Sequence, residues 1–191
     1  MDDCQKKLEI EISRRENLEN AYKVKASSYE NLKKHLDVIT VTDQITGTFN
    51  RVKMDSLLEQ ELARCNRYGN NLCIVLISIK DFDKIENSVI KSSINLGLRR
   101  LASIITECLR NTDYIGRWKD DSFLVILTET STEQVEIAEP QIAFINRINS
   151  VLKTSEINDI GYISCNYGVS GNIKGDDYLS ITARAVKDMN K

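Results

Sequence analysis

The chain has 191 residues, 41% hydrophobic and 28% charged, with a net charge of -2 at pH 7. That length suits one domain with a sizeable core plus an appendage, and the near-neutral balance gives no global field for nucleic acid or an anionic membrane. No apolar run approaches the roughly 20 residues needed to span a bilayer, and the acidic start MDDCQKKLEIEI is unlike a secretory leader, so a cytosolic protein is expected. The five cysteines, Cys4, Cys65, Cys73, Cys108 and Cys165, are scattered without a CxxC pair, as expected of reduced thiols. His35 is the only histidine. Neither a histidine triad nor a zinc site can be assembled, which leaves carboxylates, lysines and backbone groups for any chemistry.

Residues 1–41 hold no glycine or proline and are rich in Glu, Lys, Asn and Leu, which predicts one long helix. Apolar positions step by three and four through Leu18, Tyr22, Tyr29, Leu32, Leu36 and Ile39, and the register continues back to Leu8 and Cys4. Glu11, Arg15 and Lys25 interrupt this heptad seam. One narrow apolar stripe needs a partner, and a parallel homodimeric coiled coil is the expectation. A surface helix packed on its own domain is the alternative. The polar interruptions predict a weak coil able to shift register.

The stretch TVTDQITGTFNR ends that helix in a loop around Gly47. Val52, Met54, Leu57, Leu58 and Leu62 then mark a helix to Tyr68, stopped by Gly69. Leu72–Ile79, LCIVLISI, is a continuous apolar run rich in β-branched residues, of the kind found in a buried central strand. A helical turn and a long helix from Lys91 to Leu109 follow. Strands are predicted at Tyr114–Trp118 and Phe123–Thr128, around the polar knot Lys119-Asp120-Asp121-Ser122. A helix is predicted over residues 131–153, capped by Ser131 or Thr132 and interrupted at Pro140. Gly161–Gly171 alternates as one strand, and DDYLSITARAVKDMNK is a closing helix. The order predicts an α+β domain over residues 42–191: a mostly antiparallel sheet covered by helices, of the split βαβ, ferredoxin-like kind.

Several stretches resemble the motifs of one family, the GGDEF (diguanylate cyclase) domains of bacterial signalling. TDQITGTFNR is similar to the family's DxLTGLxNRR, and CIVLISIKDFDKIEN sits where the family has a strand followed by DxDxFKxIND. TDYIGRWKDDSFLVIL sits where it has DxxxRxGGDEFxxxL. CNYGVSG and LSITARAVKDMNK resemble its SxGxA strand and ADxALYxAK helix. The resemblance covers Thr42 to Lys191 and implies the nucleotidyl-cyclase-like fold behind a coiled-coil signalling helix.

The resemblance also implies that the active site is degenerate. Gly-Gly-Asp-Glu-Phe maps onto Lys119, Asp120, Asp121, Ser122 and Phe123. Two side chains stand where bare backbone should meet the nucleotide. Asp121 keeps the acidic third position, but the first metal-binding aspartate maps onto Ser78 and the next acidic position onto Lys80. The guanine-reading positions map onto Glu86 and Asn95, and the closing phosphate-binding lysine onto Asn190 or Lys191. No catalysis and no magnesium or other cofactor is expected.

What the resemblance preserves is RNTD, Arg110 to Asp113, which is similar to the family's inhibitory RxxD site for cyclic di-GMP. Arg110 would offer a planar fork to guanine or phosphate, and Asp113 would accept from the guanine N1 and N2 donors. The plain alternative is an arginine favoured by a helix C-terminus and an aspartate in an ordinary turn. The family usually adds an arginine from the next helix. Pro140 and Gln141 lie near the expected place, and Arg147 is the nearest candidate. Arg117 matches a family arginine expected to be structural. The implied function is an inactive cyclic di-GMP receptor, homodimeric through residues 1–41 and signalling to an unknown protein partner. Alternatives are a nucleotide-independent protein-interaction module, a weak cyclase, or a GTP-binding domain using Asp121.

Overall fold

The computed structural model describes residues 2–39, 41–130, 144–157 and 160–190. The chain divides into two units, residues 1–40 and residues 41–191. The first holds one 38-residue helix, α1 (Asp2–Ile39). Its apolar side chains Leu18, Tyr22 and Tyr29 are 58%, 67% and 74% exposed. Glu19 and Lys23 pair at 2.9 Å along its surface, a contact type that contributes only a few tenths of a kcal/mol. Such a helix gains little from its own surface, and most helical stability comes from packing an apolar face.

The second unit contains α2 (Arg51–Tyr68), β1 (Leu72–Ile79), α3 (Phe82–Ser88), α4 (Lys91–Glu107), β2 (Tyr114–Lys119) and β3 (Ser122–Thr128). These are followed by α5 (Phe144–Leu152), β4 (Glu156–Ile157), β5 (Gly161–Tyr162), β6 (Cys165–Gly171) and α6 (Tyr178–Met189). The main sheet runs β2-β3-β1-β6 with every pairing antiparallel, the strand order of a split βαβ, ferredoxin-like α+β fold.

Strand β1 explains the unbroken apolar run. Val75, Ile77 and Ile79 face a core shared with α4 and α5. Leu72, Ile74 and Leu76 face a second core shared with α2 and α6. Both faces are covered, so the period-two polarity of a half-exposed strand is absent. β3 divides the same way, with Phe123 and Val125 on one side and Leu124 and Ile126 on the other.

Local signals set the helix ends. The Asn50 side chain accepts from the Lys53 N–H at 2.8 Å, and α2 stops at Gly69 with φ 75, whose N–H donates to the Cys65 carbonyl. α4 ends at Glu107 rather than at Leu109. The N–H groups of Cys108 and Leu109 donate three residues back, to Ile105 and Thr106, closing the helix in a tighter turn.

The strand predicted over Gly161–Gly171 is two strands. Gly161 takes φ 81, and β5 pairs with β4 in a small separate ribbon. The Ser164 carbonyl accepts from the Lys80 N–H, which carries the chain across to begin β6 beside β1. Of the helix predicted over residues 131–153, positions 131–143, including Pro140 and Gln141, lie outside the described residues, and α5 begins at Phe144. Gly168 on β6 is a close approach: a Cβ there would lie 2.1 Å from the Ala185 carbonyl oxygen of α6.

Candidate functional site

Strand β2 carries a polar turn at each end, and the sequence-predicted residues fall on these two turns. At its C-terminal end, Lys119 pairs with Ser122 across a two-residue turn of Asp120 and Asp121. Lys119 and Asp120 are exposed, and neither has a positive φ. Glycine is therefore not needed to make this turn; its value at such a place is space for a close neighbour. Trp118 and Phe123 anchor the hairpin on opposite faces of the sheet.

The Arg117 side chain turns inward. Arg117, with a side chain 11% exposed, donates from Nε to the Lys119 carbonyl at 2.7 Å and from Nη2 to the Asp120 carbonyl. Its Nη1 lies 3.9 Å from Asp43 Oδ1, close enough for attraction but too far for a hydrogen bond. Burial lowers the Arg117 pKa from its ordinary value, and Asp43, Asp120 and Asp121 partly offset that. The clamp was not legible in the sequence, because an arginine three residues before a turn says nothing of where its fork points.

Ser78 and Asp121, separated by 43 positions, do come together. Ser78 Oγ donates to Asp121 Oδ2 at 2.7 Å, and the Asp121 carbonyl accepts from the Ile79 N–H at 3.0 Å. This pair occupies the position that the family resemblance assigns to magnesium. It offers one carboxylate, already bonded to the hydroxyl, where Mg²⁺ favours hard anionic oxygens in near-octahedral array. The donor set does not fit the ion. Lys80 and Glu86 are exposed beyond β1 and on α3, Asn95 is half-buried on α4, and Asn190 caps α6. Lys191 lies outside the described residues.

At the other end of β2, Arg110 and Asp113 share a turn. Asp113 Oδ2 accepts from the Arg110 N–H at 3.0 Å, and Oδ1 accepts from the Thr128 N–H at 3.1 Å. The carboxylate thus ties the turn to the end of β3, and a carboxylate has about four acceptor sites, so capacity remains. Arg110 is exposed. Arg147 of α5 reaches the same region, donating from Nη2 to the Cys108 carbonyl at 3.0 Å, two residues before Arg110. A cavity of about 310 Å³ adjoins the turn, with Asn111 and Thr112 in its wall beside Glu61, Arg64, Cys65 and Tyr114. Arg64 donates to Glu61 there at 2.9 Å. The Cys65 thiol pKa is raised, first by burial and then by Glu61.

The same architecture occurs in solved cyclase-type structures. The coiled coil and GGDEF domain of DgcB from Caulobacter crescentus, solved with c-di-GMP, superposes with TM-score 0.72 at 19% identity, over 91% of this chain and 92% of that one. Diguanylate cyclase SiaD from Pseudomonas aeruginosa, solved with its activator SiaC, gives TM-score 0.72 at 19% identity, over 97% of this chain and 73% of that one. At such identity the likeness concerns the fold. The sequence carries the assignment further. Residues 40–191 match the family model "Diguanylate cyclase, GGDEF domain", and the chain belongs to the GGDEF family. Among curated relatives, diguanylate cyclase DgcP from Pseudomonas aeruginosa is 33% identical over 93 residues, which is 49% of this chain and 14% of that protein. The probable diguanylate cyclase DgcC of Escherichia coli K12 is 29% identical over 101 residues, 53% of this chain and 27% of that protein. The chain therefore spans only a fraction of the length of these relatives.

Among the described residues no helix is long and apolar enough to cross a membrane, and no three metal-ligating side chains converge.

Proposed function

We propose that this GGDEF domain has no cyclase activity and acts as a cyclic di-GMP receptor. The observation that carries the first half is the Ser78–Asp121 hydrogen bond at 2.7 Å. It replaces the paired anionic ligands that two-metal phosphoryl transfer requires with a self-satisfied neutral–anionic pair. Lys119 and Asp120 add side chains over the hairpin where a nucleotide would approach.

The second half rests on the outward-facing turn. Arg110 is exposed in the turn after α4, Asp113 fixes the turn's shape, and Arg147 lies close enough to supply a second fork. Two guanidiniums suit a ligand with two phosphates and two guanine Hoogsteen edges. DgcB is a structural neighbour whose complex holds c-di-GMP, which supports the same ligand here. Dimerisation through the α1 seam would set two domains side by side, and ligand binding would alter their placement or a surface seen by a protein partner.

Calorimetric titration with cyclic di-GMP and with GTP–Mg²⁺ tests the reading. Dinucleotide binding that is lost in Arg110→Ala supports the receptor. Silence toward both ligands leaves a nucleotide-independent interaction module; a protein contact on this fold has a precedent in SiaD, which is solved with its activator SiaC. Turnover of GTP to cyclic di-GMP overturns the inactive site.

A further inference from the structure

Helix α5, Phe144–Leu152, is seated by the buried side chains of Phe144, Ile148 and Leu152, with Ile145 and Val151 half-buried against the same core. Together they form one apolar stripe. Such a stripe seats the helix on the core, and polar contacts at its edges refine its roll. Two polar contacts flank it. Arg147 and Asn149 stand one residue either side of Ile148, so they project about 100° to each side of the stripe. On one flank Arg147 Nη2 donates to the Cys108 carbonyl at 3.0 Å, at the end of α4. On the other, Tyr167 Oη of β6 donates to Asn149 Oδ1 at 2.7 Å.

Tyr167 packs with Cys165 and Val169 against the core beneath α4 and α5. Burial raises its pKa, with Cys165 adding, so the hydroxyl keeps its proton and remains a donor. A phenol in such surroundings requires an acceptor, and Asn149 is that acceptor.

We infer that Tyr167 is a positioning residue: through Asn149 it fixes the roll of α5 and so holds Arg147 over the end of α4, beside the Arg110–Asp113 turn. The inference builds on the receptor reading above. Without the Tyr167 hydroxyl, α5 keeps its stripe but loses one of its two flanking latches. Arg147 then samples more orientations, and ordering it falls on the ligand at the moment of binding.

The test uses the full chain and the variant Tyr167→Phe, which removes one oxygen and keeps the ring. Two readouts apply: ¹⁵N relaxation of the arginine side-chain Nε–H groups without ligand, and calorimetry with cyclic di-GMP. Tyr167→Phe should make Arg147 mobile while Arg110 is unchanged, and should weaken binding about fivefold. Arg147→Ala should weaken binding at least as much, and adding Tyr167→Phe to it should cost nothing further. Asn149→Ala should reproduce the loss of Arg147 order, and Asn149→Asp, which keeps the acceptor, should preserve it. The inference is overturned if Arg147 is as ordered in Tyr167→Phe and Asn149→Ala as in the parent, or if the double variant loses affinity additively. A parent chain that binds no cyclic di-GMP overturns the receptor reading, and the relaxation result then decides the positioning role alone.

Discussion

The two ends of β2 are built from similar residues and put to opposite use. Each end has an arginine and an aspartate within a few positions, and the strand between them is six residues, about 20 Å, long. At the hairpin end the guanidinium of Arg117 is directed at the carbonyls of Lys119 and Asp120, and Asp121 holds the Ser78 hydroxyl. At the other end Asp113 satisfies two backbone N–H groups, and Arg110 is left facing solvent. Burial makes the difference. A buried polar group has to be satisfied by the protein, whereas an exposed one stays available to a ligand.

That contrast can be broken by substitution. The largest effect expected is on binding: Arg110→Ala should weaken cyclic di-GMP by about a hundredfold, two charge-assisted hydrogen bonds' worth, with the thermal midpoint nearly unmoved. Arg117→Ala should do the reverse, lowering stability by about 2 kcal/mol in urea unfolding through loss of its carbonyl bonds and leaving ligand affinity alone. Equal effects on both readouts for either variant would dissolve the distinction between the two ends. Ser78→Ala should cost about 1 kcal/mol or less, because Asp121 is only half-buried and water can replace the hydroxyl. It should create no GTP turnover; turnover gained by the variant would show that the hydroxyl was blocking a competent metal site.

The smallest effect concerns an inward-turned pair remote from both turns. Arg184 donates to both Asp176 oxygens, at 2.8 and 2.5 Å, and holds that carboxyl below its ordinary range. The folded value lies below an unfolded value of about 3.9, so the pair's stabilisation is present above that pH and is lost as pH falls through the folded value. Asp176→Asn should therefore flatten the fall in urea stability between about pH 5 and pH 3. An unchanged acid limb would show that other carboxylates set it.

The sequence by itself determined the elements. Apolar periodicity, Asn50 and Gly69 at the ends of α2, and the doubly buried run of β1 are signals carried by neighbouring residues, and they placed most helices and strands within a few positions. The motif order also carried the family and its α+β fold. The break between β5 and β6 was hidden, because residues 161–171 alternate continuously and only Gly161's left-handed φ and the Lys80–Ser164 bond divide them. The sequence marked Ser78, Asp121, Arg110 and Asp113 as residues of interest, but it could not say what they touch. Ser78 meets Asp121 across 43 positions, Arg147 meets Cys108 across 39, and Tyr167 meets Asn149 across 18. Such contacts depend on strand register and on the roll of a helix, which the packing of the whole core sets. Local pattern fixes which face a side chain takes; only the assembled sheet and its covering helices decide which polar groups satisfy each other and which are left for a ligand.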